Sequence, residues 1–269
     1  MKLFSLSVPA MLLLSFSTGN SHVFNETSEV NSVAYVHTDA HEGAYRKIPY
    51  LVSSLESSNE AALDLYSRIP EMKGLSQEAF VMALRGYQRL LKIGKIHNRQ
   101  VLTIIDYSVS SLRKRLFVVD LAKGKVIYNT YVAHGVNSGK EYARKFSNGI
   151  QSLESSLGFY VTMNAYTGKN GMTLRLDGME KGINDNALRR GIVLHGASYV
   201  NEQYCSHQGF MGRSQGCPAV PRKETAPIIK SIRNGSAVFV YYPSQQYLGK
   251  SKLLADNSIA TLTGYKHPA

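Results

Sequence analysis

Cysteine is scarce in this sequence: Cys205 and Cys217 are the only two among 269 residues. Small secreted domains that depend on a disulfide framework carry more, and a chain of this length can bury enough apolar surface to fold without one. The sequence also contains no HExxH motif and no pair of cysteines at a zinc-binding spacing. These absences argue against a disulfide-stabilised fold and against a metalloenzyme.

Long hydrophobic runs are also missing. The most apolar stretch lies between Lys2 and Phe16, is interrupted by Pro9 and is too short to span a membrane comfortably. One positive residue, a short apolar core and small residues at its exit are typical of a secretory signal. We therefore predict that residues 1–21 form a signal peptide. No cysteine lies near its exit, so a bacterial lipid anchor has no attachment point.

Acidic residues are few relative to basic ones. The chain has 19 Asp and Glu residues against 31 Lys and Arg residues, which gives a net charge of +12. An exported protein with this charge is attracted to anionic partners, such as a wall polymer or a membrane surface. Nucleic acid fits poorly, because the basic residues form no dense block and do not alternate with aromatic residues.

The N-terminal part shows no internal repeat and no repeated wall-binding module. Residues 22–46 are polar without a clear period, and we predict a flexible arm. Within it, His37 and His41 could share a helix face, but no third metal ligand lies nearby. The simpler interpretation is that the two histidines are scattered along the arm.

Residues 47–98 are predicted to form a helical region. A capping box at Ser57 and Glu60 precedes the first helix, and Pro70 closes it. A second helix is predicted from Ser76 to about Ile93. Its apolar residues recur at spacings of three and four and define one face: Phe80, Ala83, Leu84, Tyr87, Leu90 and Leu91. That face needs a partner, and the domain that follows is the obvious one.

After Asn98 the pattern becomes that of β-strands. Residues 116–120 and 126–132 predict a hairpin around a glycine turn. Other short strands are predicted at 101–107 and near 158–163, 172–176, 192–194 and 236–241, and one helix is predicted at 225–232 with Pro227 in its first turn. Residues 99–247 thus form a mostly β domain, residues 248–269 a tail, and the fold class is α+β.

The candidate catalytic residues follow the predicted strand near 192–194. That strand delivers His195 and Gly196, and a glycine-containing turn with Ser214, Gly216 and Cys217 follows. A thiol needs a base to become a nucleophile, and histidine is the usual one. The backbone amides of Gly216 and Cys217 can point at a developing oxyanion, while Ser214 can orient the turn. We interpret these residues as a cysteine nucleophile with its base, suited to acyl transfer.

At these positions the chain resembles the L,D-transpeptidase (YkuD-type) catalytic domains, and within them the murein L,D-transpeptidase branch. The hallmark is His-Gly, a gap and then Ser-x-Gly-Cys, here at 195–196 and 214–217. The resemblance covers about residues 99–242. Further segments share it, at 134–139, 146–148, 155–160, 166–169 and 184–187.

The resemblance implies a mostly β sandwich or barrel and a cysteine acyl-enzyme without metal or cofactor. Cys217 would be the nucleophile and His195 the base, oriented by a backbone carbonyl. The donor would be the tetrapeptide stem of peptidoglycan, cut between its third residue and the terminal D-alanine. The acyl group would pass to the side-chain amine of another stem, which gives a 3→3 cross-link. The expected location is the periplasm or cell envelope, and the expected state is a monomer.

Substrate contacts are less clearly marked. Many members of the family carry an arginine two places after the cysteine, where this chain has Ala219. Arg213 and Arg222 are the nearby residues that could bind a stem carboxylate. His134 and Gly196 are further candidates for substrate contact. For His134, a rival base and a buried histidine with satisfied hydrogen bonds are the alternatives.

Other functions stay open at this point. The same site could serve an L,D-carboxypeptidase or endopeptidase, because the choice depends on whether an amine or water reaches the thioester. A non-catalytic wall-binding protein needs neither His195 nor Cys217. A zinc site built from His134, His195, His207 and Cys217 lacks a supporting spacing, and exposure is the expectation for His207. Because a permanent bridge would block Cys217, we predict that Cys205 is an unpaired thiol.

Overall fold

The computed structural model describes residues 59–255. The predicted signal peptide, the flexible arm, its two histidines and Ser57 of the capping box lie outside the described residues, as do residues 256–269. No helix within residues 59–255 is long and apolar enough to cross a membrane.

The two predicted N-terminal helices are present. Helix α1 spans Asn59–Ser67, a short 3₁₀ helix spans Pro70–Met72 and α2 spans Gln77–Lys92. The Ser76 hydroxyl accepts a hydrogen bond from the Ala79 amide at 3.0 Å and so caps α2. Five residues of the predicted apolar face are buried almost completely: Phe80, Ala83, Leu84, Tyr87 and Leu90. They belong to the same hydrophobic core as the strands, so α2 packs on the sheet as predicted.

Eight strands form one mixed sheet. They are Val101–Asp106 (β1), Leu116–Asp120 (β2), Lys125–Thr130 (β3), Gly158–Gly168 (β4), Gly171–Gly178 (β5), Val193–Ala197 (β6), Ala219–Pro221 (β7) and Ala237–Tyr241 (β8). Their order is β3-β2-β1-β8-β4-β5-β6-β7. The β1–β8 and β6–β7 pairs are parallel, and the other neighbours are antiparallel. The predicted hairpin is therefore β2–β3.

The two edges of the sheet approach each other beside β7. Ala133, just beyond β3, forms a bridge with Ala219, and its amide donates to the Ala219 carbonyl at 2.8 Å. The sheet therefore curls into a nearly closed barrel, whose core is filled by side chains from the strands and from α2. The predicted mostly β domain with an N-terminal helical region is confirmed.

Three further helices follow: Glu202–Gln208 (α3), Arg222–Ile232 (α4) and Gln245–Lys250 (α5). Only α4 was predicted, and it begins three residues earlier than expected because β7 runs directly into it. Pro227 consequently lies inside the helix and not in its first turn, which corrects the prediction.

The packed structure continues beyond the predicted boundary at residue 247. The Tyr247 hydroxyl donates to Glu180 Oε2 at 3.1 Å, and the Ser251 hydroxyl donates to the other carboxylate oxygen. Leu254 is fully buried in the main core. The first residues of the predicted tail therefore belong to the folded domain.

Candidate active site

A cleft lies beside β6, β7 and the turn that precedes β7. Its volume is about 640 Å³, and both His195 and Cys217 line it. Arg213, Ser214 and Arg222 line the same cleft. The fold thus brings together five of the eight candidate site residues, all of them from the stretch between positions 195 and 222.

The parallel pairing of β6 with β7 places the histidine next to the cysteine turn. His195 is the register partner of Ala219, two residues after Cys217. The His195 amide also donates to the Pro218 carbonyl at 3.4 Å. Because these contacts are between backbones, the relative position of the two segments does not depend on the reactive side chains.

The His195 ring is oriented by a backbone carbonyl. Its Nδ1 atom lies 3.1 Å from the Gly196 carbonyl oxygen, and the Asn170 side-chain amide lies 3.4 Å from the same nitrogen. Since a carbonyl can only accept, we place the proton on Nδ1, which leaves Nε2 as the basic nitrogen. Burial lowers the pKa of His195; the Gly196 hydrogen bond opposes this effect, and the positive charge of Lys169 adds to it.

The turn that carries Cys217 is closed by Ser214. The Ser214 hydroxyl donates to the Cys217 carbonyl at 2.6 Å and accepts from the Gly216 amide at 3.1 Å. Gly216 has φ +119°, and a Cβ atom there would lie 2.7 Å from the Glu154 carbonyl oxygen. Both the backbone angle and the close approach require glycine. The predicted turn role of Ser214 and Gly216 agrees with this geometry.

Ser155 fastens this turn to the barrel, a contact that sequence reasoning missed. Its hydroxyl donates to the Gly216 carbonyl at 3.1 Å and accepts from the Gly135 amide at 3.1 Å. The Ser155 amide in turn donates to the Ser138 hydroxyl at 2.9 Å. Three chain segments therefore meet behind the cysteine, and the turn is fixed from two sides.

Gly216 is not the free oxyanion donor that was predicted, because its amide is already bonded to Ser214. The Cys217 amide has no hydrogen-bond acceptor among residues 59–255. Of the two predicted donors, only the Cys217 amide is thus available to bind a developing negative charge.

The Cys217 thiol is half-buried, and its Sγ atom lies 3.7 Å from the Gly191 carbonyl oxygen, to which it donates. Burial raises the pKa of the thiol, while the Val193 backbone and the Arg190 guanidinium act in the opposite direction. The pKa of His195 is lowered at the same time. Both directions favour a neutral thiol and a neutral imidazole, and not the ion pair, as the resting state.

Arg190 is a second contact that sequence reasoning missed. Its guanidinium donates to the Ser147 carbonyl at 2.7 Å, to the Glu154 carbonyl at 2.5 Å and to the hydroxyls of Ser152 and Ser156. Arg190 thereby holds the segment from Ser147 to Ser156 against the cysteine turn. Arg190 therefore has a structural function beside the cleft.

The cleft is basic. Arg213 is half-buried, its Nη1 atom donates to the Val136 and Gly139 carbonyls at 3.3 and 3.2 Å, and its guanidinium lies over the Phe210 ring. Arg222 is exposed, and Lys169, which was not predicted, also lines the cleft. None of the described residues that line the cleft is acidic. The surroundings of Cys217 therefore attract carboxylates.

Two candidate substrate contacts are corrected by the structure. His134 is fully buried and does not line the cleft, so it cannot touch a substrate there. Gly196 is buried too, and a Cβ atom at this position would lie 2.5 Å from Thr225 Oγ1. Its glycine is required because β6 packs closely on α4, and its carbonyl orients the His195 ring.

His134, His195 and His207 do not assemble into a metal site with Cys217. His207 is exposed, as expected, but it lies on helix α3 and not in a loop, with Nδ1 2.7 Å from the Gln203 carbonyl oxygen. In the described part of the chain, no group of three or more His, Cys, Asp or Glu residues is arranged to hold a metal ion.

Cys205 is unpaired, in agreement with the prediction. Its Sγ atom lies 3.5 Å from Met211 Sδ, in a small apolar cluster. We expect Cys205→Ser to keep turnover within about twofold of wild type and to lower the free energy of unfolding by about 1 kcal/mol, because it changes packing away from the reacting atoms. Steady-state kinetics and thermal unfolding measure both quantities. Loss of turnover in a normally folded variant would show that Cys205 takes part in the reaction.

Comparisons with solved structures find L,D-transpeptidases at low similarity. One from Mycobacterium smegmatis matches with 15% identity and a TM-score of 0.33, over 53% of this chain and 59% of that one. The helical cell-shape-determining protein Pgp2 from Campylobacter jejuni matches with 12% identity and a TM-score of 0.37, over 60% and 55% of the two chains. An L,D-transpeptidase from Xylanimonas cellulosilytica matches with 13% identity and a TM-score of 0.31, over 72% and 93%.

This chain therefore spans about 59% of the Mycobacterium smegmatis protein. No curated protein matches it at a significant level. The family model of the L,D-transpeptidase catalytic domain, by contrast, matches residues 71–241, a range that includes α2, the barrel, His195 and Cys217. The match covers more than half of the chain, and the protein belongs to the L,D-transpeptidase catalytic domain family.

Proposed function

We propose that this protein is a peptidoglycan L,D-transpeptidase that forms 3→3 cross-links through an acyl-enzyme on Cys217. One observation carries the proposal: the thiol and the His195 ring open into a single basic cleft. A cleft of about 640 Å³ has room for the end of a peptide stem, and its cations match the carboxylates of such a stem.

The first step is acylation. His195 Nε2 takes the proton from the Cys217 thiol, and the sulfur attacks the carbonyl carbon of the third stem residue. The electron pair of the carbonyl moves to oxygen, where the Cys217 amide donates to the oxyanion. The imidazolium then protonates the leaving nitrogen, D-alanine departs and a thioester remains. This sequence starts from the neutral pair that burial favours.

The second step transfers the acyl group. The side-chain amine of another stem attacks the thioester, and neutral His195 accepts the proton that the amine loses. The thiolate leaves, and the proton on His195 restores the thiol. The transfer breaks the thioester and forms an amide bond. Over both steps one amide bond replaces another, so the reaction needs no nucleotide to drive it.

Substrate binding follows from charge. Arg213 can hold a stem carboxylate in bidentate fashion, and Arg222 and Lys169 add positive charge on the wall of the cleft. The net charge of +12 favours retention on an anionic cell wall or membrane surface. We place the enzyme outside the cytoplasm, in the periplasm or cell envelope, where its substrate is found.

Muropeptide mass spectrometry tests the proposal. We expect the purified protein, incubated with defined disaccharide-tetrapeptides, to release D-alanine and to form tetrapeptide–tripeptide dimers joined between two third residues. Tripeptides without new dimers would instead identify an L,D-carboxypeptidase, in which water attacks the thioester. No change in the substrate, while Cys217 still reacts with iodoacetamide, would favour a wall-binding protein.

A further inference from the structure

Arg115 and His134 form a buried pair behind the wall of the cleft. Both side chains are fully buried, and Arg115 Nη2 lies 2.7 Å from His134 Nδ1. The other guanidinium hydrogen bonds reach main-chain oxygens, those of Val132 at 3.1 and 2.9 Å and of Val109 at 2.9 Å. The guanidinium also lies over the Tyr107 ring, 4.8 Å from its centroid.

The arginine decides which nitrogen of His134 carries the proton. Since a guanidinium only donates, His134 Nδ1 must accept, and the ring proton sits on Nε2. Burial and the charge of Arg115 lower the pKa of His134 to about 3, so the ring is neutral at any ordinary pH. The Nε2–H group then donates to the Gly139 carbonyl oxygen at 3.3 Å.

The same carbonyl anchors an arginine of the cleft. Arg213 Nη1 lies 3.2 Å from the Gly139 oxygen and 3.3 Å from the Val136 oxygen, at the two ends of the short 3₁₀ turn Val136–Ser138. We propose that Arg115 and His134 are positioning residues that fix this turn and, through it, hold the Arg213 guanidinium where it binds a substrate carboxylate. The proposed function is needed only to identify that carboxylate as one carried by a peptidoglycan stem.

Packing alone does not account for Arg115. A buried cation is costly unless its donors are satisfied, and an apolar side chain of similar volume would fill the space at lower cost. Among residues 59–255 no carboxylate forms an ion pair with Arg115. Beyond its hydrogen bonds to the Val132 and Val109 carbonyls, the arginine provides what an apolar residue cannot: it fixes the His134 tautomer, whose proton is directed at the turn that holds Arg213.

Alkylation of Cys217 tests the proposal without any peptidoglycan substrate. Iodoacetate carries a carboxylate and iodoacetamide does not, while both transfer a two-carbon group to the thiolate and release iodide. We would measure both second-order rates on the full chain with Cys205→Ser, so that only Cys217 reacts, and take the iodoacetate-to-iodoacetamide ratio. That ratio reports the positive charge near the sulfur and cancels changes in thiol reactivity.

We expect Arg213→Gln to lower the ratio about threefold to fivefold, as for one partly exposed ion pair. His134→Phe keeps a ring of similar size but neither accepts nor donates, and it should produce most of the same fall. The double variant should fall no further than Arg213→Gln alone, because His134 acts through Arg213. The proposal would be overturned if His134→Phe kept the wild-type ratio. It would also be overturned if the ratio in the double variant fell by the product of the two single-variant factors.

His134→Asn is a second variant that keeps the test decisive if His134→Phe does not fold. The asparagine oxygen can still accept from Arg115, while its short side chain cannot reach the Gly139 carbonyl. We expect the thermal midpoint to stay near wild type and the ratio to fall as in His134→Phe. An unchanged ratio in a folded His134→Asn variant contradicts the positioning role.

Stem peptides give an independent readout. His134→Asn should raise KM for a tetrapeptide stem about threefold to fivefold with kcat within about twofold, since uniform binding is lost and the chemistry is not. A fall in kcat at unchanged KM would contradict the proposal. If the wild type turned over no stem peptide but the alkylation ratios behaved as expected, the proposed function would fail and the positioning role would stand.

Discussion

Cys217→Ala is expected to reduce the turnover of tetrapeptide stems by at least about 10³-fold, to the limit of detection. The thioester cannot form without the sulfur, and neither Ser214 nor any other hydroxyl of the turn can replace it. Ser214 is already committed, because its hydroxyl donates to the Cys217 carbonyl and accepts from the Gly216 amide. Muropeptide mass spectrometry measures both D-alanine release and dimer formation.

Cys205→Ser is the matched control for this variant. It removes the other thiol of the chain and should leave turnover nearly unchanged. Cys217→Ala itself should fold normally, because the turn is held by backbone groups and by the hydroxyls of Ser214 and Ser155, not by the thiol. Dimer formation by a pure, folded Cys217→Ala protein would refute the assignment of the nucleophile.

The candidate pair His195 and Cys217 could be identified from the sequence because its signals are local. A short apolar strand ends at His195, and a glycine turn presents Cys217. The extent of α2, its apolar face and the β2–β3 hairpin are local in the same sense, since each is set by neighbours within a few turns or one hairpin. These elements all have the predicted type.

The support around the pair could not be predicted, because it depends on contacts between distant segments. Ser155 bonds to Gly135 and Gly216, which lie 20 and 61 residues away from it in the sequence. The three-residue strand β7 and the clamp made by Arg190 exist only because those segments meet. A pattern with a period of two or 3.6 residues carries no information about such meetings.

His134 is another residue whose role depends on a contact that sequence patterns do not reveal. Its His-Gly pair resembles that of His195, and sequence alone could not separate a second base from a buried histidine. The difference lies in Arg115, 19 residues earlier, whose guanidinium bonds to His134 Nδ1. His195 instead bonds through Nδ1 to the carbonyl of the next residue and lines the cleft. Two similar dipeptides thus have different surroundings, because one ring contacts a buried cation and the other lines the cleft.

His195→Gln is expected to lower the acylation rate at pH 7 by about 10² to 10⁴, the usual range for loss of a positioned general base. Glutamine has a similar length but cannot accept a proton at this pH. Without the base, reaction depends on the fraction of thiol that ionises by itself. That fraction is small because burial raises the pKa of Cys217.

The pH profile makes the test specific to proton transfer. In the wild type, burial lowers the pKa of His195, so the neutral imidazole persists below the usual value of about 6.5 and the rate should fall only at still lower pH. Because the pKa of the Cys217 thiol is raised, the neutral thiol persists to a higher pH than an ordinary cysteine would. The wild-type rate should therefore be flat across neutral pH. In His195→Gln the rate should instead rise about tenfold per pH unit through the same range, since it follows the thiolate. The deficit of the variant therefore shrinks as pH rises. Stopped-flow acylation between pH 5 and 9 measures both profiles, and a deficit that stays constant with pH would mean that His195 supports the structure of the cleft without moving a proton.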